Sequence, residues 1–222
     1  AFLASGCYRY LGERAEALRW LDRAEAGFHH TANCAAGLAN VAYERLALRH
    51  EMGRYEDVLD LLPSLLRRYE ELGMQRQIAK CRLIQAMSLK QCNRVQEALE
   101  VLEPICSSAG VREERPLFGR ILAELGDLHQ LNGRSDAAMT AYQKALPLLQ
   151  QDGLSVPLAD LKLFIGGAFR AQSRLAQAID AFRTAQRDYQ GLGMLTRVAY
   201  LHLLIAEAFL AEHAAEIGSF EN

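Results

Sequence analysis

One interval dominates this sequence, because the same short pattern returns about every 40 residues. Each copy places a glycine, or another small or polar residue, between two apolar stretches of similar length. The central positions, spaced 41, 40, 40, 40 and 40 residues apart, are Gly12, Gly53, Asn93, Gly133, Ser173 and His213. A regular period of this length is typical of repeat architectures, whose neighbouring units bury a continuous core. Such a chain presents a long surface rather than a closed catalytic pocket.

The copy around Gly133 shows what each unit is. Apolar residues on both sides of it follow i, i+3, i+4 and i+7 spacing, which places each set on one face of a helix. They are Leu122, Leu125, Gly126, Leu128 and His129 before the glycine, and Ala138, Met139, Tyr142, Ala145 and Leu146 after it. Glycine suits the left-handed residue that ends a helix. Each unit is therefore predicted to be a helical hairpin.

A second glycine marks the end of three of the hairpins. Leu72–Met74 reads Leu-Gly-Met, and Leu192–Met194 repeats it three periods later, with Asp152–Leu154 at the matching place between them. A glycine followed by an apolar residue indicates a Schellman-type helix end, in which the apolar residue packs back on the last turn.

Other breaks in the pattern predict local features of the helices. Pro116 and Pro157 stand near helix starts, where a missing N–H costs little. Pro63 and Pro104 fall within second helices and predict a bend in each. Gly166-Gly167 lies inside a helix, where we expect small size to serve close packing rather than phosphate binding.

The unit around Gly133 resembles the tetratricopeptide repeat (TPR), in which Leu-Gly, Gly, Ala, an aromatic residue and another Ala recur at these offsets. The matching residues are Leu125, Gly126, Gly133, Ala138, Tyr142 and Ala145. The Leu-Gly-Met segments are similar to the joint of the longer TPR variety, of about 40 residues. That variety is similar to bacterial regulators of the maltose-activator type, response-phosphatase and quorum-sensor domains, and kinesin light chains. The resemblance implies an all-α, right-handed α-solenoid of about five and a half helix-turn-helix repeats.

We predict one solenoid domain over residues 1–222, with repeats at about 1–32, 33–73, 74–113, 114–153, 154–193 and a partial repeat at 194–222. The first residues match the middle of a first helix, and Leu203, Leu204, Phe209 and Leu210 would lie near an open end. Because solenoids normally end in polar capping helices, we expect the segment to come from a larger protein. The Ala-, Leu- and Arg-rich composition favours a bacterial source with a high-GC genome.

Charge and cysteine usage narrow the function classes. The formal net charge is −2 over 222 residues, which does not favour direct binding to nucleic acid or to an anionic membrane. No apolar run approaches the length of a spanning helix. The odd number of cysteines without paired spacing predicts free thiols, buried at Cys7, Cys81, Cys92 and Cys106, with Cys34 as the fifth. Free thiols indicate a cytoplasmic protein.

Catalytic and metal-binding motifs have little support. His29, His30 and Cys34 form the one cluster with a metal-ligand composition, but it lacks a fourth ligand, and a structural role at a helix end is favoured. His50 and Glu51 are an acid–base pair by type, but no nucleophile is predicted beside them. We therefore predict a protein that is not an enzyme and holds no metal or cofactor.

The resemblance also implies where a partner would bind, since in this family the first helix of each hairpin lines the inner groove. The corresponding positions here are Asn40, Tyr43, Ala47, His50, Lys80, Leu83, Met87, Lys90, Arg120, Ala123, Asp127, Gln130, Leu163, Gly167, Arg170, Tyr200, Leu203, Glu207 and Leu210.

One stretch of this groove has an unusual charge pattern. Between Met74 and Gln96 there are five basic residues and no acidic one. Arg76, Lys80, Leu83, Met87 and Lys90 follow i, i+4, i+7, i+11 and i+14, hence one helix face. Cations beside exposed Leu and Met suit an acidic, partly apolar peptide or helix. A solvated face whose Lys stems cover apolar surface is the alternative.

The sequence thus predicts a scaffold or sensor module that binds a peptide or partner helix. The predicted partner-binding residues are Tyr43, His50, Arg76, Lys80, Leu83, Met87, Lys90, Arg120, Asp127 and Arg170. Two alternatives stay open: a ligand- or peptide-responsive domain of a bacterial transcription regulator, and a regulatory module of a fused catalytic domain. We expect a protein or peptide partner, no direct contact with nucleic acid or membrane, and a monomer or weak end-to-end dimer.

Overall fold

The computed structural model describes residues 1–10, 12–31, 34–151, 153 and 155–220, and within these ranges every regular element is helical. The elements are α1 (Phe2–Tyr10), α2 (Arg14–His29), α3 (Cys34–Glu51), α4 (Tyr55–Glu71), α5 (Gln75–Gln91), α6 (Val95–Leu102), a 3-10 helix (Pro104–Ser107), α7 (Ala109–Glu113), α8 (Arg115–Leu131), α9 (Ser135–Gln150), α10 (Val156–Ala171), α11 (Leu175–Gly191) and α12 (Leu195–Phe220). The chain divides into two compact units, unit 1 (Ala1–Val111) and unit 2 (Arg112–Asn222).

The hairpin turns lie where the repeat pattern predicts them. Positive φ angles, from 58° to 79°, occur at Gly12, Gly53, Asn93, Gly133 and Ser173. Each is followed by a residue whose N–H closes the preceding helix end. At Gly53, for example, the N–H of Arg54 donates to the carbonyl of Arg49 at 2.9 Å. The five turn predictions are confirmed.

The sixth position of the repeat spacing does not form a turn. Helix α12 continues through His213 to Phe220. No glycine or asparagine stands at this place, and Ala214 and Ala215 follow it. Alanine has the highest helix propensity, and the left-handed backbone conformation is unfavourable for a residue with a side chain. The local sequence therefore favours helix over a turn.

The joints between hairpins also have the predicted geometry. The N–H of Met74 donates to the carbonyl of Tyr69 at 2.9 Å, and the N–H of Gly73 donates to Glu70 at 3.0 Å. This pair of bonds defines a Schellman motif. Gly193 repeats it, and Gly153 has the same positive φ, whereas Asp152 and Leu154 lie outside the described residues.

Prolines act as predicted at helix starts and differently inside helices. Pro116 and Pro157 lie in the first turns of α8 and α10, as predicted. Pro63 lies inside α4. At Pro104 the second helix does not bend but stops: α6 ends at Leu102 and a 3-10 helix begins. The predicted bend is therefore wrong at Pro104, where the missing N–H ends the α-helical bonding instead.

Helices pack alternately within each unit. In unit 1, α3 contacts α2 and α4, and α5 contacts α4 and α6. In unit 2, α9 lies between α8 and α10, and α11 lies between α10 and α12. This alternation is that of an all-α helical-repeat solenoid, and it buries the apolar stripes of each hairpin on its neighbours.

Small residues face large aromatic residues at the contacts within hairpins, as the sequence predicts. A Cβ added at Gly126 would lie 2.4 Å from the Tyr142 ring, and one at Gly166 would lie 2.5 Å from the Phe182 ring. A Cβ at Gly167 would meet nothing within 4 Å. The predicted packing role is therefore confirmed for Gly166 and wrong for Gly167, because successive helical residues point about 100° apart.

All five cysteines are free thiols, but their burial differs from the prediction. Cys81 is fully buried, which raises the pKa of its thiol to about 12. Cys92 and Cys106 are half-buried, and Cys7 is exposed. Burial of Cys7 was predicted from its apolar helix face, and the prediction is wrong because no described helix covers that side of α1. In the described ranges, none of the helices combines the length and apolarity that crossing a bilayer requires.

The turn residues permit a direct test of backbone strain. Ser173 has φ 58°, a left-handed conformation that costs a residue with a side chain about 1 kcal/mol. We expect Ser173→Gly to stabilise the protein by about 0.5–1 kcal/mol, measured by urea unfolding. Gly133→Ser, the reverse change at the equivalent turn, should destabilise by a similar amount. A destabilising Ser173→Gly would contradict this account.

Candidate binding surface

The first helices of the hairpins in unit 1, α1, α3 and α5, form a row in which neighbours contact each other. We call the surface residues Tyr43 and His50 of α3 and Arg76, Lys80, Met87 and Lys90 of α5 the α3–α5 face. Side chains join α1 to α3 as well: Arg9 reaches Glu44 at 3.2 Å and Glu51 at 2.6 Å. The row is therefore held together by polar contacts in addition to its core.

An aromatic–cation contact lies at the centre of the α3–α5 face. The Lys80 ammonium lies 5.9 Å from the centroid of the Tyr43 ring. Such contacts contribute about 0.5–1 kcal/mol at exposed sites. Lys80 and Tyr43 are half-buried, and Arg76, one turn before Lys80, is exposed. The structure thus brings three of the predicted binding residues together across two helices.

His50 joins the same two helices further along. Its Nδ1 and the Ser88 Oγ are 2.9 Å apart and share a hydrogen bond, and its ring meets Tyr55 edge-on at 5.2 Å between centroids. Burial, assisted by the positive charge of Lys90, lowers the pKa of His50 to about 4. The imidazole is therefore neutral at pH 7 and connects α3 to α5.

The Ser88 hydroxyl stands beside His50, a contact that the sequence did not predict. Ser88 is fully buried, however, and Glu51 pairs with Arg9 instead of orienting the imidazole. A buried hydroxyl without access to a substrate suits a structural hydrogen bond. The sequence carries a signal for it, because Ser88 occupies a place held by Leu48, Leu128 or alanine in other repeats.

Leu83 is buried, although the sequence predicts it to be exposed on this face. It is only 3% exposed, and Met87 is half-buried. Helix α5 contacts α3, α4 and α6, so only a narrow strip of it reaches the surface. The exposed apolar component predicted for this face is therefore reduced to Met87, with the ring of Tyr43 beside it. The positions of Arg76, Lys80 and Lys90 on one strip agree with the predicted periodicity.

A polar junction lies one turn before Tyr43. The Tyr69 hydroxyl donates to the carbonyl of Ala39 and to Asn40 Oδ1, each at 3.0 Å. Gln77 Nε2 donates to the same Asn40 oxygen at 3.1 Å. Two donors on one oxygen determine how the Asn40 amide is oriented. This junction joins α3, α4 and α5, and burial raises the pKa of Tyr69 well above its usual range.

Sequence reasoning placed Asn40 in the groove but missed this junction. The sequence does contain a signal for it, because the same pair of positions recurs 120 residues later. Tyr189 corresponds to Tyr69 and Asp160 to Asn40, and the Tyr189 hydroxyl donates to the Asp160 carboxylate in unit 2. Burial, followed by the carboxylate of Asp160, raises the pKa of Tyr189. A polar residue recurring opposite a recurring tyrosine predicts a buried hydrogen bond.

The remaining predicted residues lie in unit 2, on its first helices. Arg120 and Asp127 lie on α8, the first exposed and the second half-buried. Arg170 lies on α10 and is exposed, and its guanidinium reaches Glu207 of α12 at 3.0 Å. All three stay predictions as partner contacts.

His29, His30 and Cys34 have a metal-ligand composition, but they do not come together as a metal-binding group. Among the described residues, no three or more His, Cys, Asp or Glu side chains lie close enough to hold a metal ion, and His29, His30 and Cys34 are included in that set. The sequence-level preference for a structural role of these residues stays a prediction.

These features define a class: a helical-repeat protein with the TPR-like fold. Three solved structures with this fold are similar to the chain. BtubC (BKLC) from P. vanneervenii is 16% identical with a TM-score of 0.60, covering 91% of this chain and 90% of that one. Aspartyl phosphate phosphatase F from Bacillus subtilis is 12% identical with a TM-score of 0.65, covering 93% and 58%. The apo quorum sensor NprR from B. thuringiensis is 15% identical with a TM-score of 0.55, covering 91% and 68%.

These likenesses confirm the predicted fold class and the TPR-like character of the repeats. At such identities they establish the fold alone. No protein-family model matches the chain, and no curated protein matches it in sequence.

Proposed function

We propose that this chain is a protein-interaction module that binds an acidic, partly apolar peptide or helix on the α3–α5 face. The observation that carries the proposal is the charge of α5. Helix α5 has four basic residues, Arg76, Lys80, Arg82 and Lys90, and no acidic one. Three of them lie on the face, although the whole chain has a net charge of −2.

The helix beside α5 does not cancel this charge. Helix α3 has two basic residues, Arg45 and Arg49, and two acidic ones, Glu44 and Glu51. The two helices together therefore have six basic and two acidic side chains, a net charge of +4. Both acidic residues pair with Arg9, and Arg45 pairs with Asp22 and Glu25 of α2. A surface of this sign attracts acidic segments and raises their association rate.

Apolar atoms on the same face indicate that the partner also has apolar side chains. Met87 lies between Lys80 and Lys90 and is half-buried, and the Tyr43 ring adjoins Lys80. Methionine and tyrosine are adaptable contact residues that accept varied apolar side chains. The aliphatic stems of Lys80 and Lys90 extend the apolar area of the face. An acidic segment with an apolar residue about every turn meets both requirements.

Charge reversal tests the proposal. We expect Lys80→Glu/Lys90→Glu to weaken binding of acidic, leucine-containing peptides by about tenfold, because each reversal replaces a modest attraction with repulsion. Fluorescence anisotropy with a panel of such peptides measures the change. Basic peptides of the same length and leucine content serve as the comparison panel, and wild-type protein should bind them more weakly.

The matched control is Lys144→Glu, since Lys144 is an exposed lysine on α9. It should leave the affinity unchanged, and circular dichroism melting should show that all variants fold. An equal loss in Lys144→Glu, or no preference of the wild-type protein for acidic peptides, would reject the proposed face.

A second candidate role is a ligand-responsive regulatory domain, supported by the likeness to the quorum sensor NprR over 91% of this chain. In that case a small molecule or short peptide should raise the melting temperature, since a ligand that binds only the folded state stabilises it. For either role we propose a cytoplasmic setting, because the five cysteines are free thiols.

A further inference from the structure

Helix α12 presents an apolar stripe that no described helix covers. One side of α12 is buried on α11, through Leu201, Leu204 and Ala208. The opposite side exposes a row of apolar residues along four turns. Its members are Leu195, Ala199, Leu203, Ala206 and Leu210, all exposed, and the three leucines are 74%, 56% and 73% exposed. We call this row the α12 stripe.

The repeat pattern indicates what the α12 stripe is shaped to receive. Ala199 and Ala206 stand 80 residues after Gly119 and Gly126. In α8 those two glycines meet Leu149 and Tyr142 of α9, the antiparallel second helix of the same hairpin. In α10 the equivalent residues are Ala159, which is fully buried, and Gly166, which meets Phe182 of α11. The α12 stripe therefore has the small residues of a surface that takes an antiparallel helix.

The α12 stripe is also complementary to itself. When two copies of α12 run antiparallel about an axis between His202 and Leu203, Leu195 of one copy lies opposite Leu210 of the other. Ala199 then lies opposite Ala206 and Leu203 lies opposite His202, and each pair occurs twice. The alanines, between the central Leu203–His202 pairs and the ends, permit close approach of the helices, and the leucines at the outer pairs close the ends. A two-fold interface requires such a self-complementary surface.

We propose that a second copy of this chain occupies the α12 stripe, forming a two-fold symmetric dimer through antiparallel α12 helices. The partner helix takes the place that a second helix of the hairpin takes in the earlier repeats, and in the same antiparallel direction. The stripe from Leu195 to Leu210 spans about 22 Å at 1.5 Å per residue. One helix pair buries less area than the about 800 Å² per partner of stable complexes, so the dimer is reversible.

Sedimentation of the full chain tests the proposal. Between about 1 μM and about 1 mM we expect the average mass to rise from 24.7 kDa towards twice that value. Leu203→Glu places a carboxylate beside the symmetry axis in both copies and should keep the mass at that of one chain. The matched control is Leu131→Glu on α8, since Leu131 is 57% exposed and Leu203 is 56% exposed. It should dimerise like the wild type.

Cross-linking tests the direction of the helices. Chains with Leu195→Cys mixed with chains carrying Leu210→Cys should form mixed disulfide dimers in larger yield than either variant alone, over the background of wild-type cysteines. A wild-type mass of one chain at every concentration would overturn the proposal in favour of a helix of another protein, or of a further segment of this one, as the occupant. Equal loss of dimer in Leu131→Glu, or preferential links between two copies of Leu195→Cys, would also overturn it.

Discussion

Gly166→Ala is expected to destabilise the protein by about 1–3 kcal/mol, although alanine favours helix more than glycine does. The added methyl group would lie 2.5 Å from the Cδ1 and Cε1 atoms of the Phe182 ring. Phe182 is fully buried, and its Cγ, close to the backbone, would be 3.2 Å away. The ring therefore cannot turn aside without moving α11 away from α10. Urea unfolding followed by circular dichroism measures the loss.

The next residue supplies the matched control for this prediction. Gly167 is on the same helix, and a Cβ there meets nothing within 4 Å. Gly167→Ala gains helix propensity without a clash and should stabilise the protein by up to about 1 kcal/mol. Opposite signs for two neighbouring Gly→Ala changes separate packing from propensity. Equal effects would show that the contact with Phe182 does not limit this position.

A double variant identifies the clash itself. Phe182→Leu alone should destabilise, because it leaves a cavity over Gly166. Combined with Gly166→Ala, the smaller side chain should accommodate the methyl group, so the double variant should be more stable than the two single losses predict when added. Simple additivity would contradict a direct contact as the cause.

The stability of unit 1 is expected to fall between pH 6.5 and about 4 because of His50. Burial, followed by the charge of Lys90, lowers its pKa to about 4 in the folded protein, against 6.5 for an ordinary histidine. In this window the unfolded chain binds a proton at His50 and the folded protein does not. The contribution of the neutral His50 is therefore fully present above pH 6.5 and is lost as the pH falls to about 4.

The expected loss from His50 is about 1–2 kcal/mol, reduced for solvent screening at a half-buried site. His50→Gln keeps a polar partner for Ser88 and does not titrate, so the stability difference between wild type and this variant isolates His50 from the carboxylates. NMR titration of the imidazole gives its pKa directly. A value near 6.5 in the folded protein, or equal pH slopes for the two proteins, would contradict the prediction.

Removing the neighbouring charge tests the second cause of the shift. Lys90→Met should raise the pKa of His50 part of the way back, because only the electrostatic contribution is removed while burial stays. An unchanged value would assign the shift to burial alone. Either result also measures how close Lys90 stays to α3 in solution.

The turns and the helix starts could be predicted from the residues at those positions, because they depend on backbone preferences of single residues. A left-handed residue needs glycine or a tolerant substitute, so Gly53, Gly133 and even Ser173 could be placed from their spacing alone. Pro116 and Pro157 marked helix starts because proline costs nothing there. At His213 the spacing continues, but the residue types favour helix and α12 runs through this position.

The candidate site could be predicted in part. Periodicity placed Lys80 and Lys90 on one strip of α5, and the TPR resemblance placed Tyr43 beside it. The burial of Leu83 and the hydrogen bond between His50 and Ser88 were not predictable in the same way. Each depends on how closely α3, α4 and α6 approach α5, which the pattern of a single helix does not contain.

The hairpin, its period and its turns could be read from the sequence, because they follow from backbone preferences and from apolar spacing within about 40 residues. Which of several similar positions are covered depends on how the helices pack: Cys81 is covered and Cys7 is not, and Gly166 is covered and Gly167 is not. The packing also leaves the α12 stripe without a partner helix among the described residues. Burial depends on two surfaces in contact, and the pattern of one helix describes only its own surface.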